Sequence, residues 1–99
     1  MDVKQLRTFK HVANLGSLTR ASERLHIAQP ALGRHIKMLE EELEVELFFR
    51  HGRGMVLTPA GQILLDRAET ILDLVEQTRA EISSQEHAAN RVVTLGVPP

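Results

Sequence analysis

The chain has no cysteine, no tryptophan and no tyrosine, and only three phenylalanines among its 99 residues. Without cysteine there is no disulfide, no zinc–thiolate site and no thiol nucleophile. With aromatics at 3%, the core must be aliphatic, a composition that favours packed helices over a β-sandwich. No apolar run approaches the roughly 20 residues that a bilayer-crossing helix needs. The opening Met-Asp-Val-Lys-Gln does not have the layout of a signal peptide. A soluble cytoplasmic protein with no membrane partner is expected. The five histidines are scattered, with no pair at ligand spacing, so no metal site is expected. The chain also lacks a clustered carboxylate pair and a Gly-rich phosphate loop. An enzyme is therefore not expected, nor is a cofactor for this segment.

Net charge is −1, but the charge is unevenly spread. Residues 1–58 carry nine Lys/Arg against seven Asp/Glu, and residues 59–99 carry three against six. Five of the seven acids in the first part fall between Glu40 and Glu46. Outside that patch, which reads as a solvated face, the first part is basic. Local pattern rather than total charge must carry a nucleic-acid argument.

Val3, Leu6, Phe9, Val12 and Ala13 recur at helical spacing and predict a first helix that stops at Gly16. Ser17 reads as the N-cap of a second, short helix with Ala21 on its buried side. His26, Ile27 and Ala28 form a turn. Gln29-Pro30 then opens a third helix, whose stripe Leu32, Ile36, Leu39, Leu43 is spaced 4, 3 and 4, with Arg34, His35 and Lys37 on the opposite face. Leu47 to Arg50 and Met55 to Leu57, around the tip His51-Gly52-Arg53-Gly54, read as a hairpin.

Thr58-Pro59 is a strong helix start, and no breaker follows before about Ala88. The apolar positions Leu64, Ala68, Ile71, Val75 and Ile82, with Thr78 completing the register, form a heptad seam that predicts self-pairing. Gly61 and Ala68 are small enough to let two such helices approach. Arg91 to Val97 reads as a lone β-strand, the beginning of something further. The expected organisation is a unit over 1–58, with a helix-turn-helix at about 18–37 and a wing at about 47–57. A linker helix over 59–88 and the start of an effector-binding domain over 89–99 complete it. The fold class is mainly α: a winged helix-turn-helix, three helices plus a short β-hairpin wing, followed by a long dimerisation helix.

Such a fold suits duplex DNA. Gln29, in the first turn of the third helix, has the side chain that reads an adenine edge in the major groove. Arg34, on the same helix, could contact guanine or phosphate. Arg53 sits on a Gly-flanked tip suited to the minor groove. Amides near Ser17 and Thr19 could hold a phosphate. Each has a plainer alternative: Gln29 as an ordinary surface residue, Arg53 as a solvated turn charge, Arg34 tethered to the acidic patch. A winged helix used for protein assembly is the competing function, although the acids avoid the start of the third helix.

The runs Leu6-x-x-Phe9, Gly16-Ser17-Leu18-Thr19-x-Ala21, Leu25-His26-Ile27-Ala28-Gln29-Pro30-Ala31-Leu32-x-Arg34, Leu39-Glu40-x-Glu42-Leu43-x-x-x-Leu47-Phe48 and Leu57-Thr58-Pro59-Ala60-Gly61 occur in unbroken order. This set resembles LysR-type transcriptional regulators of bacteria over residues 1 to about 85. The resemblance implies a transcription activator or repressor that binds double-stranded DNA through Gln29, Pro30, Arg34 and Arg53, with Thr19 and Lys37 beside them. It implies a homodimer through the linker helix, assembled as a dimer of dimers on interrupted inverted repeats. It also implies a small-molecule inducer bound by a further domain. Three positions depart from the family pattern: Ala28 where Ser or Thr is common, Gly33 where Ser is common, and Glu44 in place of a usual Gly.

Overall fold

The computed structural model describes residues 1–49 and 54–94. Four helices follow one another: α1 (Val3–Leu15), α2 (Leu18–Leu25), α3 (Gln29–Leu43) and α4 (Pro59–Thr94). Their boundaries have local causes. Asp2 and Gln5 form a reciprocal capping box at the start of α1, and Gly16 ends it with φ 65 and its N–H on the Val12 carbonyl. Ser17 caps α2, its Oγ accepting from the Arg20 amide at 3.2 Å. Ala28 gives α3 no side-chain cap, and Pro30 stands in its first turn. Thr58 caps α4, its Oγ1 accepting from the Gly61 amide at 3.0 Å.

The helices α1, α2 and α3 all pack on one another, and the first turns of α4 close the bundle against α1. Phe9, Val12, Ala21, Leu32, Leu39, Leu47, Phe48 and Ala68 are sealed from solvent at its centre. Phe9 and Phe48 pack with ring centroids 5.4 Å apart at 55°, a tilted arrangement that aromatic pairs favour. The fully buried Ala21 brings α2 close to its neighbours.

The expected β-hairpin wing over 47–57 is not formed: no β-strand occurs among the described residues. The two runs meet in one antiparallel bridge, Phe48 to Leu57, beside a hydrogen bond from the Phe49 amide to the Val56 carbonyl at 2.9 Å. At one end of the bridge the amide that would extend a ladder is used elsewhere. The Leu47 amide donates to Glu40 Oε2 at 2.7 Å. The Leu47 carbonyl accepts from the Thr58 amide, the second hydrogen bond of the bridge, and the Met55 amide is tied to the Gly16 carbonyl. Among the described residues the fold is therefore a four-helix arrangement in which the segment after α3 is held by this single bridge and by its bonds to Glu40 and Gly16.

A second correction concerns the chain beyond Ala88. Helix α4 continues through Arg91 to Thr94, where a lone strand was expected; the rest of that run lies outside the described residues. A lone strand leaves every backbone N–H and C=O without a partner, whereas a helix satisfies them internally. After Gly61 the sequence has no Gly or Pro before Gly96. The low helix propensity of Val92, Val93 and Thr94 costs only about 0.5 kcal/mol each. At 1.5 Å per residue the 36 residues of α4 extend about 54 Å.

Candidate nucleic-acid interface

The sharp turn between α2 and α3 is held by backbone and hydroxyl together. His26 adopts a left-handed conformation, φ 57, with its N–H on the Ser22 carbonyl. The Ile27 amide reaches the same carbonyl at 3.3 Å, while Ser22 Oγ donates to the Ile27 carbonyl at 2.5 Å. This turn sets the start of α3 beside the start of α2. Gln29 Nε2 donates to Thr19 Oγ1 at 3.1 Å, joining the two N-termini across the surface. With Ser17 Oγ on the Arg20 amide, the remaining first-turn amides at Leu18 and Thr19 have no partner within their own helix.

Along α3 the stripe Leu32, Ile36 and Leu39 is buried, and Gln29, Pro30, Arg34 and Lys37 are exposed. Pro30, Arg34 and Lys37 stand at i, i+4 and i+7 and therefore share one outward row. Arg34 makes no ion pair among the described residues, so it is not tethered to the acidic patch. His35, expected on the exposed face, instead turns toward α1, with Nδ1 2.9 Å from the buried Thr8 hydroxyl. Gly33 stands half-buried beside the row, and a Cβ added to it meets nothing within 4 Å. Arg53, the expected minor-groove contact, lies outside the described residues.

The acidic patch is not uniformly a solvated face. Glu41, Glu42, Glu44 and Glu46 are exposed, but Glu40 is buried. Its carboxylate accepts the Leu47 amide, and its carbonyl takes the amides of Glu44 and Val45. One residue therefore closes α3 and directs the chain back toward the core. Composition gave no sign of this; the only hint was that Glu40 lies on the same side of α3 as Ile36. Glu42 pairs with the N-terminal amine of Met1. Glu44 ends α3 with φ 56, the left-handed conformation in which the family pattern has Gly.

The seam residues of α4 divide into two groups. Ala68 is fully buried in the protomer's own core, and Leu64 and Ile71 pack against it. Ala68 thus has no surface left for a partner helix. Gly61 is likewise committed, since a Cβ there would stand 2.1 Å from the Leu47 carbonyl oxygen. Farther along, Val75 is half-buried and Ile82 exposed. Ile63 and Leu74 are also large, apolar and exposed, and the heptad reading missed them. They lie 11 residues apart, a spacing that keeps two residues on one helix face. Ile71, Leu74, Val75, Thr78 and Arg79 line a shallow groove on this side of α4.

Residues 3–62 match the family model described as bacterial regulatory helix-turn-helix protein, lysR family. A helix-turn-helix-type transcriptional regulator from the ibpB–leuC intergenic region of Azotobacter vinelandii is 46% identical over 84 residues, covering 85% of this chain and 58% of that protein. The nitrogen assimilation regulatory protein nac of Klebsiella aerogenes is 38% identical over 99 residues, all of this chain and 32% of that one. The chain thus spans less than two thirds of either relative. Among solved structures, the CbnR DNA-binding domain in complex with DNA superposes with a TM-score of 0.82 at 36% identity, over 87% of this chain and 99% of that one. The BenM DNA-binding domain bound to benA site 1 DNA gives 0.81 at 37% identity, over 85% and 98%. The ordered residues, the turn geometry and these likenesses agree: the chain belongs to the lysR family of bacterial regulatory helix-turn-helix proteins.

Proposed function

We propose that this chain is a sequence-specific reader of double-stranded DNA, with α3 in the major groove and the α2 N-terminus against the backbone. The observation that carries the reading is the outward row Pro30, Arg34 and Lys37, exposed at helical spacing and continuous with Gln29. An uncommitted guanidinium suits guanine O6/N7 or phosphate, an ammonium suits phosphate, and a carboxamide suits adenine. The Leu18 and Thr19 amides add a phosphate site at the start of α2, beside Ser17. DNA-bound relatives of nearly the same length support this docking. The exposed glutamates lie at the far end of α3, away from Gln29, which disfavours an acidic protein-assembly surface at its start.

A homodimer formed through the exposed stripe of α4 belongs to the same proposal. Ile71, Val75 and Ile82 remain from the expected seam, with Ile63 and Leu74 added and Leu64 and Ala68 removed. Residues 1–58 act as the reading unit and α4 as the linker, which spaces two recognition helices over an inverted repeat. Control by a small molecule is proposed for the whole regulator.

Two variants separate the roles on α3. Gln29→Ala should lose about 1–3 kcal/mol on a selected site and little on random duplex. Lys37→Ala should weaken all duplexes alike and reduce the salt slope by about one. The assay is a salt-titrated binding curve on both kinds of DNA. Absence of salt-dependent binding by the unmodified chain would refute the reading outright.

A further inference from the structure

The hydrogen bond between Thr19 and Gln29 has a consequence for which base is read. Two threonines of α4 show how a helical hydroxyl is ordinarily used: Thr70 Oγ1 donates to the Asp66 carbonyl at 3.3 Å, and Thr78 Oγ1 to the Leu74 carbonyl at 2.7 Å. Thr19 stands in the first turn of α2, where no carbonyl four residues back belongs to its own helix. Its hydroxyl is directed instead across to α3 and accepts from Gln29 Nε2 at 3.1 Å. The β-branched Thr side chain has little freedom at χ1, so α2 fixes the position of this oxygen. Gln29, by contrast, is long and exposed, and alone it would sample many rotamers.

From this geometry we infer that Thr19 is a positioning residue that makes Gln29 an adenine reader; the inference rests on α3 reading the major groove. A free carboxamide presents two N–H donors on one side and a carbonyl oxygen on the other. Turned one way it offers donor plus acceptor, which matches adenine N7 and N6. Turned the other way its two donors reach toward guanine N7 and O6. With one Nε2 hydrogen engaged by Thr19, a single donor and the free Oε1 remain. That pair complements adenine and leaves guanine O6 facing an acceptor. The bond also holds the side chain in place before DNA arrives, reducing the ordering cost of an otherwise mobile glutamine.

The test uses the 99-residue chain and a randomised duplex pool, with the bound fraction sequenced at one fixed salt concentration. Gln29→Ala identifies the base position that Gln29 reads, as the position whose preference collapses. Thr19→Val keeps the shape and β-branching of the side chain and removes the hydroxyl. Its expected effect is a drop of about three- to tenfold in the adenine-over-guanine ratio at that position, with other positions unchanged. Thr19→Ser, which restores a hydroxyl, should recover the ratio. In the Gln29→Ala background Thr19→Val should have no further effect on base preference. An equal loss on every sequence would overturn the inference, because it would mean that Thr19 touches the DNA backbone itself. An unchanged ratio would also overturn it. A wild-type chain that enriches no sequence would overturn the major-groove reading first, and this is distinguishable because it appears before any variant is made.

Discussion

Three glycines of this chain should respond to alanine in three different ways, and the structure supplies the reason for each. Gly33 lies inside α3, in the row beside Pro30 and Lys37, and a Cβ added there meets nothing within 4 Å. Glycine in a helix interior costs about 1 kcal/mol relative to alanine, because its unfolded backbone has more freedom to lose. With no steric opposition, Gly33→Ala should stabilise by nearly that amount. For a domain of this size it should raise Tm by about 4–8 °C. Gly16 also has open space, but it ends α1 with φ 65. Alanine is strained there by about 1–2 kcal/mol, offset in part by the smaller entropy of the unfolded chain. A net loss of about 1 kcal/mol is expected. At Gly61 the new Cβ would stand 2.1 Å from the Leu47 carbonyl oxygen. That carbonyl cannot retreat easily, because it also accepts the Thr58 amide that starts α4. Gly61→Ala should therefore destabilise by about 3 kcal/mol or more. Denaturant melts at one fixed protein concentration measure all three, since self-association makes apparent stability concentration-dependent. A Gly33→Ala variant that melts earlier than wild type, or a Gly61→Ala variant that melts with it, would refute the reasoning.

Glu44 ends α3 with φ 56, so Glu44→Gly should relieve strain and stabilise by up to about 1 kcal/mol; an unchanged denaturation midpoint would show that the side chain contributes as much as the backbone costs. Glu40→Ala should cost about 1–3 kcal/mol, because it strips the acceptor from the buried Leu47 amide, and amide exchange at Leu47 should quicken in step. Leu74 is exposed and lies on the groove of α4, so Leu74→Lys should leave the protomer folded yet give a monomer, a buried unpaired ammonium being strongly disfavoured; sedimentation of the variant as a dimer would place the contact elsewhere.

Ile71, at the middle of the heptad seam, would be a poorer place for that charge, and the difference illustrates how the two levels of information divide. Periodicity marked Ile71, Ala68 and Ile82 as one stripe, because spacings of 3 and 4 keep residues on one face of any helix. It carried no information on whether that face meets the protomer's own core or another chain. Packing decided this: the first turns of α4 lie on α1, so Ala68 and Gly61 face inward and only the outer edge of the stripe stays open.

What the sequence determined alone is what depends on neighbours within a few residues. Gly16, Ser17, Pro30, Thr58 and Pro59 punctuate the helices by capping and by fixed or permissive φ, and these effects act over a single turn. The order of motifs around Gln29 likewise sufficed to indicate the family. Tertiary structure decided whatever depends on who competes for a backbone group. The runs around Phe48 and Val56 have the composition of a hairpin, yet the pairing stops at one bridge, and Glu40 takes the Leu47 amide that would extend it. An aliphatic strand-like run at 91–94 joined α4, because a helix already under way satisfies its own backbone. Glu40 turned inward because a buried amide seven residues on required an acceptor, a demand that appears only once the chain has folded back on itself.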